Sequence, residues 1–383
     1  MLAFNCLKRV FAMAALATMG VAAPALGATY VYVSNADDGD LTTYTMQADG
    51  SLVAGPRVKV AGLVMPMTVS PDKRFLYAAS RSAPFQLHAF AINPANGALT
   101  LLSSVPAAGS FPYISLDRTG RWLFAAGYGA NLISVNAVGA DGRIKPETSQ
   151  VIPVGRNAHS IRVDETNRFV YVPTLGSDLV FQFNFDARSG RLTANTPATI
   201  LMKPVSGPRH FITSKDNKFV YLLSEMVGTV TTLSIDQRTG LLSEVASISG
   251  VPPGSNLGPG LPRGAVGAPG GPPPRNTDKD IWVADIHMTP NGKYLYMSER
   301  TNSTIGAFSV NGDTGMLKWI GATSTEAGPR GFAIDARGKY MVVSGEKSPT
   351  ISVYEIEGDG NLKFLNKYPT GKDANWVEIV SFD

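Results

Sequence analysis

From Thr29 onward the apolar residues of this chain fall in short runs set off by polar turns rich in Gly, Asn and Asp. No long stretch repeats its apolar positions with helical spacing, so the pattern predicts many short strands. The segment from Gly207 to Glu225, GPRHFITSKDNKFVYLLSE, shows the unit. It reads as two strands, Phe211 to Thr213 and Phe219 to Leu223, joined by a polar turn at Ser214 to Lys218. Antiparallel pairing puts the start of the first strand and the end of the second at one sheet edge, which brings Arg209 next to Glu225.

The same hairpin recurs. An aromatic residue marks its second strand at Tyr32, Tyr77, Phe124, Tyr171, Tyr221 and Tyr296, with Val342 in the seventh place. Each unit continues with a third strand such as FQLHAFAI or LVFQFNF, a turn such as DARSGRL or NGDTGML, and a fourth short strand. Four antiparallel strands in about 45 residues make a β-propeller blade, so the expected fold is an all-β, seven-bladed propeller over residues 29–383. The first unit lacks its opening strand, and Asn375 to Phe382 is a spare strand at the other end. Pairing it with Tyr30 to Asn35 would close the ring and leave no exposed edge. One unit is longer than the rest by a Pro/Gly-rich run, 251–276, which reads as a loop or lid.

Charged residues make up only 17% of the chain, and the formal charge of +4 is not gathered into any Lys/Arg-rich run. A nucleic-acid partner is therefore not expected. Lys8 and Arg9 precede an apolar run from Val10 to Ala23 and then small residues, the three-part pattern of a secretory signal peptide over residues 1–28. That pattern predicts cleavage between Ala25 and Thr29 and a periplasmic or secreted protein. Cys6 leaves with the leader, so the mature chain has no thiol chemistry and no disulfide. It reads as a monomer without a membrane anchor after cleavage.

In each blade the loop entering the first strand and the loop leaving the second open on the same face. Twelve residues before each marker stand Met65, Pro112, His159, Arg209, Ala284 and Arg330. Four residues after it stand Arg81, Tyr128, Leu175, Glu225, Arg300 and Glu346. Four Arg, two Glu and one His at two registers form a set that would ring the mouth of the central channel, a preformed concave site. Any one of these charges could equally be a structural ion pair. His210 and His287 fall inside first strands, where alternation would turn them into the blade stack as structural residues.

With these segments in hand the chain resembles the seven-bladed propeller lactonase family, which includes bacterial propeller-type 6-phosphogluconolactonases and the fungal carboxy-muconate cycloisomerase. The likeness is carried by NAHS at His159, GPRH at Arg209, SE at Glu225, SER at Arg300 and GPRGFAID in the last blade. It implies that His159, Arg209, Glu225 and Arg300 are the functional residues; Arg81, Tyr128, Arg330 and Glu346 are expected as substrate contacts from their two registers, and Glu346 and the long Pro/Gly loop depart from the family pattern. Neither a cofactor nor a metal is expected, because no group of Asp, Glu and His converges with enough ligands.

An exported lactonase for an anionic sugar-acid lactone or a related carboxylate is the leading reading. Glu225 would activate water, Arg209 or Arg300 would hold the oxyanion, and His159, titrating near neutrality, would protonate the leaving alkoxide. The same groups would serve a cycloisomerase acting on a muconate-like diacid. An exported propeller that only binds is the third reading.

Overall fold

The computed structural model describes residues 27–261 and 276–382. Residues 1–26, with most of the expected leader and Cys6, and residues 262–275 of the insertion lie outside the described residues. Seven antiparallel sheets form a ring, and no helix occurs among the described residues. Blades two to seven each take four consecutive strands. In blade five these are Pro208–Thr213, Phe219–Ser224, Thr229–Ile235 and Leu242–Ser249.

Blade one is made from both ends of the chain. Its innermost strand is Ala374–Phe382, paired antiparallel with Ala28–Asn35, so that Tyr32 faces Glu378 and Val33 faces Val377. The ring therefore closes as the spare strand predicts. The first strand begins at Ala28, one residue inside the expected leader, and the Gly27 N–H donates to the Phe382 carbonyl at 2.8 Å.

One contact repeats at every joint between blades. The residue two before each marker is aromatic, and its ring lies on the glycine of the turn between the third and fourth strands of the next blade. Phe169 of blade four covers Gly240 of blade five; Tyr340 of blade seven covers Gly50 of blade one and completes the circle. A Cβ at Gly240 would sit 2.2 Å from the Phe169 ring, and its φ of 72° is in the left-handed region, so both space and backbone require glycine there.

The marker tyrosines add a hydrogen bond to the same turns. Tyr32, Tyr77, Tyr171 and Tyr296 donate to the carbonyls of Gly97, Gly142, Gly240 and Gly360 at 2.8 to 3.0 Å. Tyr221 is the exception. The carbonyl of Gly315 accepts from Thr232 instead, at 3.0 Å, and the buried Tyr221 hydroxyl has no partner.

In blades two, five, six and seven the innermost strand is bulged near its start, as between Pro208 and Phe211. A bulge breaks the strict alternation of side chains and re-aims the residues it contains. Arg209 and His210 both lie in such a bulge and both line the channel. His287 lines it as well, so neither histidine turns into the blade stack as alternation predicts.

These tyrosines give an internally controlled prediction. Tyr171→Phe should destabilise the fold by about 1 kcal/mol, because it strands the Gly240 carbonyl. Tyr221→Phe should be neutral or stabilising, because it removes a buried hydroxyl that has no partner. Urea unfolding of both variants checks this, and equal losses would contradict it.

Candidate active site

Where the first strands begin and the second strands end, the innermost strands surround a cavity of about 230 Å³. It is lined by His159, Arg209, Glu225 and Arg300, by Arg81, Tyr128, Arg330 and Glu346, and also by Met65, Pro112 and Trp282. All eight residues singled out in the sequence thus share one cavity. Of the other register positions, Ala284 contributes its backbone carbonyl, which accepts from Arg209, and Leu175 is buried in the core.

Glu225 is the hub. One carboxylate oxygen accepts from Arg209 Nε at 2.6 Å and from Arg300 Nη2 at 3.3 Å, and the other from Trp282 Nε1 at 3.2 Å. Trp282 also stacks under Arg300, with the guanidinium carbon 3.6 Å from the ring centroid. A cation over an indole face is attracted by the ring quadrupole, so one side chain holds both Glu225 and Arg300. Trp282 was not legible in the sequence. In IWVADIHM it reads as one more apolar strand residue, and the register falls on Ala284 instead.

Glu346 forms the second hub, 3.3 Å from Arg330 Nε and 3.8 Å from Arg300 Nη1. Arg81 differs from the other three guanidiniums. It donates from Nε to Ser110 Oγ at 3.1 Å and lies against Met65 Sδ, and no carboxylate is within 4.0 Å of it among the described residues. Burial lowers the pKa of Arg209 to about 9 and of Arg81 to about 10, with Arg330 adding to the effect on Arg81. Guanidiniums remain charged at neutral pH even so. Burial raises Tyr128 to about 12, so it is neutral. Four guanidiniums against two carboxylates leave the lining with two positive charges in excess.

His159 departs from its expected state. Only 6% of it is exposed, its ring meets Tyr128 and His210 edge to face, and its Nδ1 is buried without a partner. Burial first, and then the charge of Arg209, hold its pKa well below the usual histidine range. It is therefore a neutral imidazole at physiological pH. The added positive charge expected from its titration near neutrality does not arise.

Residues 26–379 match the family model described as lactonase, seven-bladed β-propeller. The chain belongs to the seven-bladed β-propeller lactonase family. It is 35% identical over 353 residues to a 6-phosphogluconolactonase of Serratia proteamaculans, covering 92% of this chain and 98% of that one. It is 33% identical over 350 residues to one from an Enterobacter species, covering 91% and 98%. Among solved structures, the periplasmic gluconolactonase of Pseudomonas aeruginosa matches with a TM-score of 0.80 at 24% identity, covering 93% of this chain and all of that one, a likeness of fold. The chain is thus a lactonase-type enzyme, 6-phosphogluconolactonase-like, and a propeller that only binds is set aside.

The imidazole environments can be read directly. Nitrogen-detected NMR should find the rings of His159 and His210 still neutral at about pH 6.5, where an ordinary imidazole is half protonated. Burial also takes His210 to about 3. A midpoint near neutrality for His159 would contradict this account of its surroundings.

Proposed function

We propose that the protein hydrolyses the lactone of an anionic sugar acid or related carboxylate in this mouth, by direct attack of water. The observation that carries the reading is the excess of guanidinium charge, and Arg81 in particular, a cation that has no carboxylate beside it. Excess positive charge in a partly desolvated cavity attracts and orients an anion. A guanidinium presents two parallel donors to a carboxylate or phosphate.

Lactone hydrolysis needs donors for the developing oxyanion and a group that moves a proton. Arg209 and Arg300, held rigid by Glu225, supply preorganised donors. Both oxygens of Glu225 are engaged by Arg209, Arg300 and Trp282, so in this reading Glu225 orients guanidiniums and the proton falls to the neutral His159. His159 takes one proton from water as the hydroxide adds to the acyl carbon. The tetrahedral oxyanion then collapses, the ring C–O bond breaks, and the alkoxide takes that same proton back.

The leader read in the sequence makes this an exported enzyme, periplasmic or secreted. In that compartment unphosphorylated lactones are the substrates to try first, those that keep a free carboxylate, including lactones of aromatic breakdown, ahead of the neutral aldonolactones; the name of the Pseudomonas aeruginosa relative supports the compartment.

Arg81→Met should lower kcat/KM for an anionic lactone by about tenfold to a hundredfold, the worth of a charge-assisted hydrogen bond. A neutral lactone of the same size should be nearly unaffected, and added salt should shrink the difference. Equal losses for both would remove the anion-binding role. His159→Ala should lower kcat by about a hundredfold or more, and unchanged turnover in both His159→Ala and Glu225→Gln would overturn the site. Turnover in heavy-oxygen water should place one solvent oxygen in the product; a cycloisomerase would incorporate none.

A further inference from the structure

Beyond the mouth the channel holds a second chamber, a cavity of about 340 Å³. Three rings from three blades separate the two. Tyr113 meets His210 at 4.9 Å and Trp376 at 5.4 Å between centroids, and His210 lies 6.1 Å from Trp376. Pro71 and Asp117, in turns between first and second strands, also line the chamber, so it extends toward the face opposite the mouth.

The charges of this chamber are of two kinds. At its outer end Arg118, paired with Glu165, and Asp117, which accepts from Thr119, Asn167 and the N–H groups of Arg121 and Trp122, are of the partnered kind. Asp285 is saturated: it accepts from the ring nitrogens of His210 and His287 at 2.9 and 3.1 Å and from the Ile286 N–H at 3.0 Å. Arg162 and Glu378 are not. Arg162 donates to the Tyr113 hydroxyl at 3.3 Å, and no carboxylate lies within 4.0 Å of it among the described residues. Glu378 accepts from Trp376 Nε1 at 2.9 Å and has no cationic group within 4.0 Å, again among the described residues. They stand on the innermost strands of blades four and one, three blades apart around the ring, and so face each other across the channel. Burial pushes the Glu378 carboxyl up to about 7; the Trp376 hydrogen bond, then His287, and least of all Arg162 offset this only in part.

We propose that this chamber binds a small zwitterion of amino-acid size, its carboxylate on Arg162 and its ammonium on Glu378. Arg162 and Glu378 are each half-buried, and a partly desolvated charge with no counter-charge beside it is stabilised by one that a ligand brings. A ligand with opposite charges at its two ends neutralises both walls at once. A simple anion or cation neutralises one wall, and a neutral polyol offers hydrogen bonds without removing either charge. The site does not depend on the lactone reading of the mouth, and the three rings divide it from that cavity.

The test uses the full-length protein with glycine, β-alanine, γ-aminobutyrate and δ-aminovalerate, which step the distance between the two charges. Butyrate, butylammonium and erythritol serve as controls, with calorimetry and thermal shift as readouts. One length should bind best, the controls should bind at least about tenfold more weakly, and Arg162→Gln and Glu378→Gln should each weaken binding by about tenfold or more. Glu378→Gln keeps the side-chain shape and removes a charge that has no partner, so it serves if Arg162→Gln fails to fold. Lactone turnover should be unchanged in Glu378→Gln. Absence of saturable binding across the series, controls that bind as well as the amino acids, or binding indifferent to Glu378→Gln would each overturn the proposal.

Discussion

The ring depends on the contact between an aromatic side chain and the turn glycine of the next blade. Seven copies, from Tyr30 on Gly97 to Tyr340 on Gly50, fix how far and at what angle each sheet sits from its neighbour. Glycine leaves room for the ring to close onto backbone, and the buried face it covers is removed from water at every joint. Once the angle between sheets is fixed, so is the radius of the channel. Groups from blades two to seven then come within reach of one another with no local sequence relation between them.

That radius explains the density of charge in the mouth. Arg209 is 1% exposed and Glu225 4%, a burial that would be prohibitive for either alone. Shared hydrogen bonds make it tolerable: Glu225 serves two guanidiniums and an indole, and Glu346 serves two guanidiniums. Each pairing fixes the orientation of an arginine without cancelling the net charge of the set. Arg81, supported by a hydroxyl and a thioether, leaves that surplus open to a ligand.

Much of this was legible in the sequence because it follows from strand periodicity. Arg209 and Glu225 could be paired from antiparallel geometry alone, and the same counting reached Arg81, Tyr128, His159, Arg300, Arg330 and Glu346. What escaped depended on departures from the repeat or on tertiary burial. The bulge after Pro208 turned His210 toward the channel against strict alternation. Trp282 lies just before its strand, in an apolar run indistinguishable from core. The charge state of His159 is set by burial and by Arg209, neither of which a strand pattern carries. Thr232, which takes the turn carbonyl that Tyr221 would otherwise reach, is visible only once blades five and six are side by side.

The joining of Ala374–Phe382 to Ala28–Asn35 also orders events in time. Six blades consist of consecutive strands, and their hairpins can form as soon as each segment exists. Blade one cannot, because its innermost strand follows the strands of all six other blades in the chain. The contacts that complete it span nearly the whole sequence, the kind of pairing that forms slowly. Without that strand the seven sheets would make an open arc with a bare edge at each end and no enclosed channel. The mouth, which draws on both halves of the arc, comes into being only when the last strand docks.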